Sequence, residues 1–368
     1  MRIVHTDEQE FLAETFARLF ENECPPELVR EFQDSSSLDT IEPLRRTLAS
    51  TGLFGLALPE DVGGQGAGLF ALGLAFEAAG AVNCPTVVLN SACYGYVLTA
   101  LFPNVDTSRV RGFVDGTRTG SFALWNPSDA SDVEPRLTAS ETGNEWTVSG
   151  SLEFVANADL VDELIVSAKT ADGDTRLFII ATSAPGVHVE RMKTFARDSQ
   201  CVVSFAGAEV TEWVVASPRD VRRIANHVVA LRCVGMIGGA QAVLDMSVAH
   251  LKDREQFDRP LASFQAAQHH VARTHIEIEG ARLVAYQAVW LAEADVLTER
   301  EVSIAKLKCG RAFKNCTLTA HQLHGGIGYM REFDLHLWSE RAKSDELIDG
   351  SAETQLELLE GWVGERRP

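Results

Sequence analysis

The sequence predicts an α+β protein in which a β-rich region lies between two helical regions. Residues 1–119 and 218–368 carry apolar side chains at helical spacing, whereas residues 120–217 alternate short β-prone runs with turn signals. A chain of 368 residues is long enough for two or three packed domains. We therefore expect an N-terminal helical domain, a middle β domain and a C-terminal helical bundle domain with these boundaries.

The N-terminal region contains three predicted helices. Apolar residues recur at helical spacing between Phe11 and Phe20, and a second helix is expected around 40–51. The stretch 69–80 is rich in alanine, leucine and glutamate, which favour a helix. Proline and glycine residues between 58 and 66 interrupt the pattern, so this stretch is expected to be a loop.

The middle and C-terminal regions differ in the period of their apolar residues. Strand-like runs at 146–148, 164–166 and 177–180 are separated by turn residues, which predicts a small antiparallel barrel or sandwich. Further along, apolar residues step by three and four and share one helix face. They are Ile278, Ala281, Ala285, Ala288 and Ala292. This pattern predicts an antiparallel four-helix bundle.

Composition excludes several classes of function. The formal net charge of −19 argues against nucleic-acid binding and against binding to anionic membranes, although a local basic cluster could still bind a small anion. The seven cysteines form no C-x-x-C pair, and the adjacent His269 and His270 point to different helix sides, so no metal site is expected. Without a signal pattern or a membrane-length apolar run, a soluble cytoplasmic protein with reduced thiols is expected.

One candidate segment runs from Asp253 to Gln265 and contains Arg254 and Phe257. A guanidinium group can hold a phosphate group through two parallel hydrogen bonds. The alternative for Arg254 is a solvated charge on a helix.

A second candidate segment contains Gln322, Gly325 and Gly326. Glycines allow backbone amides to approach a phosphate group without a Cβ in the way. The alternative for the glycine pair is an ordinary helix C-cap.

The chain resembles the acyl-CoA dehydrogenase superfamily. The resemblance rests on the helix–strand–helix order and on the family segments at 58–66, 253–265 and 321–329, which occur in the family's order over nearly the whole chain. It implies the acyl-CoA dehydrogenase fold, bound FAD, an acyl-CoA substrate and a tetramer, homomeric or formed with a paralogous chain. It also implies that Arg254, Phe257, Gln265, Gln322, Gly325 and Gly326 bind the cofactor, mainly one held by a neighbouring subunit.

The resemblance places Asp349 where the commonest branch of the family has its catalytic glutamate, and Ser351 at the cofactor-facing position beside it. In that reaction a carboxylate removes the α-proton of the thioester while the flavin accepts the β-hydrogen as hydride. Three interpretations of Asp349 remain open: a working base, a helix-capping carboxylate, or the base of a nitroalkane-oxidase-like flavin oxidase.

Residues that resemble the family's flavin-ring contacts are altered. Ser131 is kept, but Trp125 replaces a threonine, Phe154 a tryptophan, and Ala156 a threonine or serine. Elements for a neighbour's flavin are thus kept while elements for the chain's own flavin ring are changed. The asymmetry resembles subunits of actinobacterial α₂β₂ acyl-CoA dehydrogenases. The expected function is an acyl-CoA dehydrogenase or a subunit of one, with a non-catalytic partner subunit as the alternative.

Overall fold

The computed structural model describes residues 5–126, 132–143, 145–210 and 212–364. The helices described are α1 (Asp7–Glu23), α2 (Pro26–Ser35), α3 (Leu38–Ser50), α4 (Gly68–Ala81), α5 (Thr86–Leu101), α6 (Thr107–Val114), α7 (Pro218–Asp253), α8 (Gln265–Glu293), α9 (Glu299–His324), α10 (Leu335–Leu347) and α11 (Ala352–Gly364). The strands described are β1 (Gly120–Ala123), β2 (Leu137–Thr142), β3 (Glu145–Ala156), β4 (Glu163–Thr170), β5 (Thr175–Ala181), β6 (Val187–Arg191), β7 (Gln200–Glu209), β8 (Glu212–Val215), β9 (Glu255–Gln256) and β10 (Arg259–Pro260). The predicted order of helices, strands and helices is confirmed.

The chain divides into two compact units. The first unit comprises Met1–Pro26, Gly73–Cys84 and Val229–Pro368, and the second comprises Glu27–Leu72 and Pro85–Val228. The first unit is helical, with the short β9–β10 hairpin, whereas the second contains both helices and the large sheet. Each compact unit therefore combines segments from different predicted domains. The predicted domain boundaries at residues 119 and 217 stay a prediction.

The strands β1 to β8 form one mixed sheet in the second unit. Its order is β6–β7–β3–β2–β4–β5–β8, and β1 also pairs with β4. Most neighbours are antiparallel, as expected, but β4 runs parallel to both β1 and β2, which occupy successive halves of its edge. Alternation of strands and turns does not reveal these parallel pairs because the partners are distant in sequence.

Helix α1 begins with a complete capping box. The Thr6 hydroxyl accepts from the backbone N–H of Gln9, and the Gln9 side chain accepts from the backbone N–H of Thr6. Phe16 and Phe20 are buried as the spacing predicts, but Phe11 is 64% exposed. The apolar stripe of α1 is therefore narrower than the sequence pattern implies.

The C-terminal helices pack around α9. Helices α8, α10 and α11 each contact α9. The five α8 residues predicted to share one face, from Ile278 to Ala292, are all buried, so this prediction is confirmed. Four of the five are alanines, and such small side chains allow close approach of the neighbouring helices.

Helix α7 corrects one expectation about apolar runs. It contains an 18-residue stretch that is long and apolar enough to cross a membrane, the one such stretch in the described part of the chain. However, 78% of that stretch is buried inside the protein. A core helix of this length passes the same test of composition, and the burial identifies α7 as a core helix.

Candidate active site

Asp349 lies in the short connection between α10 and α11, in the first unit. Its backbone is in the left-handed region with φ of 60°, and its side chain is fully buried. The Arg232 guanidinium of α7 donates from Nη1 to the Asp349 Oδ2 atom at 2.5 Å. Arg232 is 19% exposed, so the pair is largely removed from water. The carboxylate at the family's base position is therefore paired with a cation.

The connection around Asp349 is held by two further buried side chains. The Lys306 ammonium donates to the backbone carbonyls of Asp345, Glu346 and Gly350 at 3.0, 3.1 and 3.2 Å. The Gln355 amide donates to the backbone carbonyl of Asp349 at 3.0 Å. These bonds satisfy carbonyl groups at the end of α10 that have no partner within the helix.

Ser351 provides the N-cap of α11. Its hydroxyl accepts from the backbone N–H of Thr354 at 3.4 Å, and its carbonyl accepts from the N–H of Gln355 at 2.9 Å. The capping position immediately before Ala352 is thus occupied by Ser351 rather than Asp349. The Asp349 side chain is used for the ion pair instead.

Arg254 lies at the start of an exposed hairpin that follows α7. Strands β9 and β10 pair antiparallel, and the turn residues Phe257 and Asp258 have φ of 56° and 61°. Two successive left-handed residues form the tight turn that suits such a hairpin. Phe257 is 85% exposed at its tip, and the guanidinium of exposed Arg254 has no ion-pair partner among the described residues. Gln265, the first residue of α8, is also exposed.

The second candidate segment forms the exposed end of α9. Gln322 is exposed, and Gly325 ends the helix with φ of 62° and ψ of −137°, a conformation that side chains with a Cβ disfavour. Gly326 has no positive φ, and a Cβ built on it would meet nothing within 4 Å. Packing within this chain therefore does not explain why residue 326 is a glycine.

The altered ring-contact residues lie in the second unit. Trp125 and Phe154 line a cavity of about 460 Å³ together with charged side chains that include Arg136. Phe154 has φ of 57° where β3 shifts register against β7, and it is 44% exposed. The Ala156 carbonyl accepts from the Ser121 hydroxyl at 2.6 Å, and its methyl side chain has no donor. Ser131 lies outside the described residues.

Comparison with known proteins assigns these features to a family. The model of the acyl-CoA dehydrogenase N-terminal domain matches residues 6–102, and that of the acyl-CoA dehydrogenase C-terminal domain matches residues 222–363. The chain belongs to the acyl-CoA dehydrogenase family. It is thus an FAD-dependent acyl-CoA dehydrogenase or a subunit of one. The same matches favour neither the non-catalytic partner subunit nor the nitroalkane-oxidase-like oxidase over this assignment.

Full-length relatives support the same assignment. The probable acyl-CoA dehydrogenase YngJ of Bacillus subtilis strain 168 is 28% identical over 378 residues, which cover 95% of this chain and 96% of the relative. A variant of the Tcur3481–Tcur3483 steroid ACAD superposes with a TM-score of 0.85 at 29% identity, covering 98% of both chains. The ChsE4–ChsE5 complex from Mycobacterium tuberculosis superposes with a TM-score of 0.88 at 25% identity, covering 100% of both chains.

The two parts of the cofactor site fit FAD unequally. In the first unit, the exposed Arg254 guanidinium and the open space above Gly326 suit a phosphate-bearing group that approaches from outside the chain. In the second unit, Ala156 offers no hydroxyl to the flavin edge, and two aromatic side chains line the cavity. The residues that the resemblance assigns to a neighbour's cofactor therefore suit a phosphate group, whereas at the position assigned to the flavin edge a methyl group replaces the hydroxyl donor.

Sequence reasoning missed Arg232 and Lys306. Each is a single cation in an otherwise apolar helical stretch, Ala230-Leu231-Arg232-Cys233-Val234 and Ile304-Ala305-Lys306-Leu307. A cation within an apolar helix face requires a partner when buried, and this signal could have identified both residues. It could not have identified their partners, which lie 117 and 39 to 44 residues away.

Proposed function

We propose that this chain is one subunit of a heteromeric acyl-CoA dehydrogenase, in which it completes the flavin site of a paralogous chain. In this assembly the paralogue supplies the carboxylate that removes the α-proton of the acyl-CoA. The buried ion pair between Asp349 and Arg232 carries the proposal. The flavin, when bound, accepts the hydride from the β-carbon.

The ion pair opposes a role of Asp349 as the base. A base must present a free carboxylate oxygen within hydrogen-bonding distance of the substrate proton. The Asp349 side chain has no exposed surface, and its Oδ2 atom already accepts from Arg232.

The preserved surface supports a role toward a neighbour. Arg254, Phe257, Gln322 and Gly326 are all exposed. Exposed aromatic and arginine side chains are enriched where proteins bind partners. The ChsE4–ChsE5 structure is described as a complex of two chains, which is consistent with a heteromer here.

The same reasoning extends to substrate and location. The similar Tcur3481–Tcur3483 structure is that of a steroid ACAD, so acyl-CoA thioesters of steroid side chains are the first substrates to test. All seven cysteines are described and buried, and no disulfide joins them, which supports a reducing compartment and hence the cytoplasm.

The test is anaerobic bleaching of flavin absorbance by acyl-CoA in the co-purified complex. We expect Asp349→Asn in this chain to leave the bleaching rate per flavin within about threefold of the unmodified complex. Replacement of the paralogue's family glutamate by glutamine should abolish bleaching while flavin stays bound. Steroid and fatty acyl-CoA thioesters are compared in parallel.

Glu357→Gln, on the exposed surface of α11, is the matched control for a lost negative charge. Loss of bleaching in Asp349→Asn, with flavin occupancy and stability preserved, would make Asp349 the base and would refute the proposal.

A further inference from the structure

The two cofactor-facing segments of the first unit are joined by a pair of stacked histidines. The rings of His250 and His324 lie 4.5 Å apart between centroids at an angle of 27°. His250 precedes Arg254 by one helical turn, and its carbonyl accepts from the Arg254 N–H at 2.9 Å. His324 directly precedes Gly325. The stack therefore fixes the distance between the end of α7 and the end of α9.

The His324 ring is held on several sides. Its Nδ1 atom lies 2.8 Å from the Ala320 carbonyl, and Phe333 contacts it with a centroid distance of 4.9 Å. Only 6% of His324 is exposed, and its Nε2 atom is buried without a hydrogen-bond partner among the described residues. A proton added to Nε2 would create a buried charged donor with no acceptor.

A second histidine supports the turn from the other side. His321 stacks on Tyr329 with a centroid distance of 4.6 Å, and its Nε2 atom lies 2.7 Å from the Ser339 hydroxyl. The turn from Gly325 to Tyr329 therefore packs against the side chains of two histidines of α9, His321 and His324.

We propose that the stack of His250 and His324 positions Arg254 and the Gly325–Gly326 turn for the FAD pyrophosphate, and that acidification releases the cofactor by charging both rings. The proposal rests on the proposed function, because it assumes that these segments hold a flavin shared with a neighbouring chain. Both histidines act as positioning residues.

The charged groups around the stack decide the direction of the pH effect. Burial lowers the pKa of His250, the neighbouring His324 and Arg254 lower it further, and Asp253 raises it. Burial also lowers the pKa of His324, against the Ala320 carbonyl, which raises it. The pKa of His321 is lowered by burial and by His324, and a backbone contact at Gly328 raises it. The C-terminal end of α9 favours cations, but the lowered pKa values show that burial outweighs this effect.

The sign of the effect follows from these directions. Because the pKa of each ring is lower in the folded protein, the neutral rings are favoured by folding. This contribution is fully present above the ordinary histidine pKa near 6.5 and is lost as the pH falls below that value. Two positive rings in contact would then repel each other and displace the turn.

The experiment follows the release of flavin fluorescence from the co-purified complex after a pH jump from about 7.5 to about 5.5, which brackets the histidine pKa. We expect release to be about tenfold faster at the lower pH, because the two rings become positively charged and repel each other. The double variant His250→Tyr/His324→Phe keeps an aromatic stack that cannot be charged. It should retain flavin at both pH values. His270→Gln, on the exposed surface of α8, is the control and should behave like the unmodified complex.

The melting temperature, measured with and without flavin, distinguishes failure of the histidine-stack proposal from failure of the proposed function. An acid-induced fall that the double variant lacks supports the stack. Flavin release and melting with the same pH profile in the double variant and the unmodified complex would overturn the stack proposal. If melting follows the stack but Arg254→Ala leaves flavin occupancy unchanged, the shared flavin site of the proposed function fails instead.

Discussion

The chemistry available to Asp349 depends on its surroundings more than on its position in a family motif. A carboxylate that faces a substrate can accept a proton, but one that is enclosed with a guanidinium group serves as a counter-ion. The 2.5 Å contact with Arg232 and the absence of exposed surface favour the counter-ion role that we propose for Asp349. Lys306 then holds the connection that carries Asp349 through three backbone carbonyls. We therefore expect substitutions of Asp349 and Lys306 to change the stability of the protein and not proton transfer.

The ion pair yields a prediction for stability. Asp349→Asn should lower the free energy of unfolding by about 3 kcal/mol, because it removes the negative charge that the largely buried Arg232 guanidinium contacts at 2.5 Å. Adding Arg232→Met should recover at least about 1 kcal/mol of that loss. Urea unfolding of the two single variants and the double variant measures this coupling. Strictly additive effects would show that the two side chains do not interact in solution.

Lys306 provides a second prediction at the same scale. Lys306→Met should destabilise the protein by about 3 kcal/mol or more, since three backbone carbonyls lose a charged donor. Lys308→Met, two residues away on the exposed side of α9, should change stability by less than about 0.5 kcal/mol. The comparison is made by thermal and urea unfolding. Equal effects of the two substitutions would contradict the capping role of Lys306.

The β9–β10 hairpin and the end of α9 share one property at the scale of elements. Both place residues on the surface that packing within the chain does not explain, Phe257 at 85% exposure and Gly326 with open space around it. Residues that packing within the chain does not explain indicate that a ligand or a partner chain requires them. An exposed glycine turn, which allows close approach of the backbone, and a nearby arginine are suited to phosphate groups.

Gly326→Ala distinguishes folding from cofactor binding. The added methyl group meets no atom within 4 Å, so stability of the isolated chain should change by less than about 0.5 kcal/mol. In the complex, however, the methyl group should weaken flavin binding by about 1–3 kcal/mol through overpacking. Fluorescence titration with FAD measures the loss. Gly361→Ala, also in open space on α11, is the control, and an equal effect on binding would contradict a cofactor role for Gly326.

For the whole molecule, the relevant property is the difference between its two sets of proposed cofactor residues. The first unit keeps Arg254 and the glycine turn, whereas the second unit has Ala156 and a cavity lined by Trp125 and Phe154. In a homotetramer every flavin would meet one suitable and one altered surface. Each such flavin would lack a neutral hydrogen bond worth about 0.5–1.5 kcal/mol. A heteromer with an intact paralogue avoids this loss at half of its sites.

This asymmetry predicts the stoichiometry of the assembly. The chain expressed alone should be poor in flavin or poorly soluble, and co-expression with its paralogue should produce a tetramer with about half a flavin per chain. Flavin absorbance per chain and mass by light scattering provide the two measurements. A homotetramer purified alone, with one flavin on every subunit and activity on acyl-CoA, would instead support an ordinary dehydrogenase.

Local patterns in the sequence were sufficient for the order of helices and strands and for the segments that carry Arg254 and Gly325. These features depend on residues close together in the chain, such as the α8 face from Ile278 to Ala292 and the turn residues after α9. Each family segment is likewise contiguous, so its recognition needs no knowledge of packing.

Tertiary structure alone decided the surroundings of those residues. It brings Arg232 to Asp349 across 117 residues, places Lys306 beneath the same connection and stacks His250 on His324. It also leaves Phe11 exposed despite its helical spacing and sets β4 parallel to β1 and β2. Residue periodicity specifies which face of an element is apolar, but it does not specify which distant element covers that face. The partner of a buried charge depends on that packing.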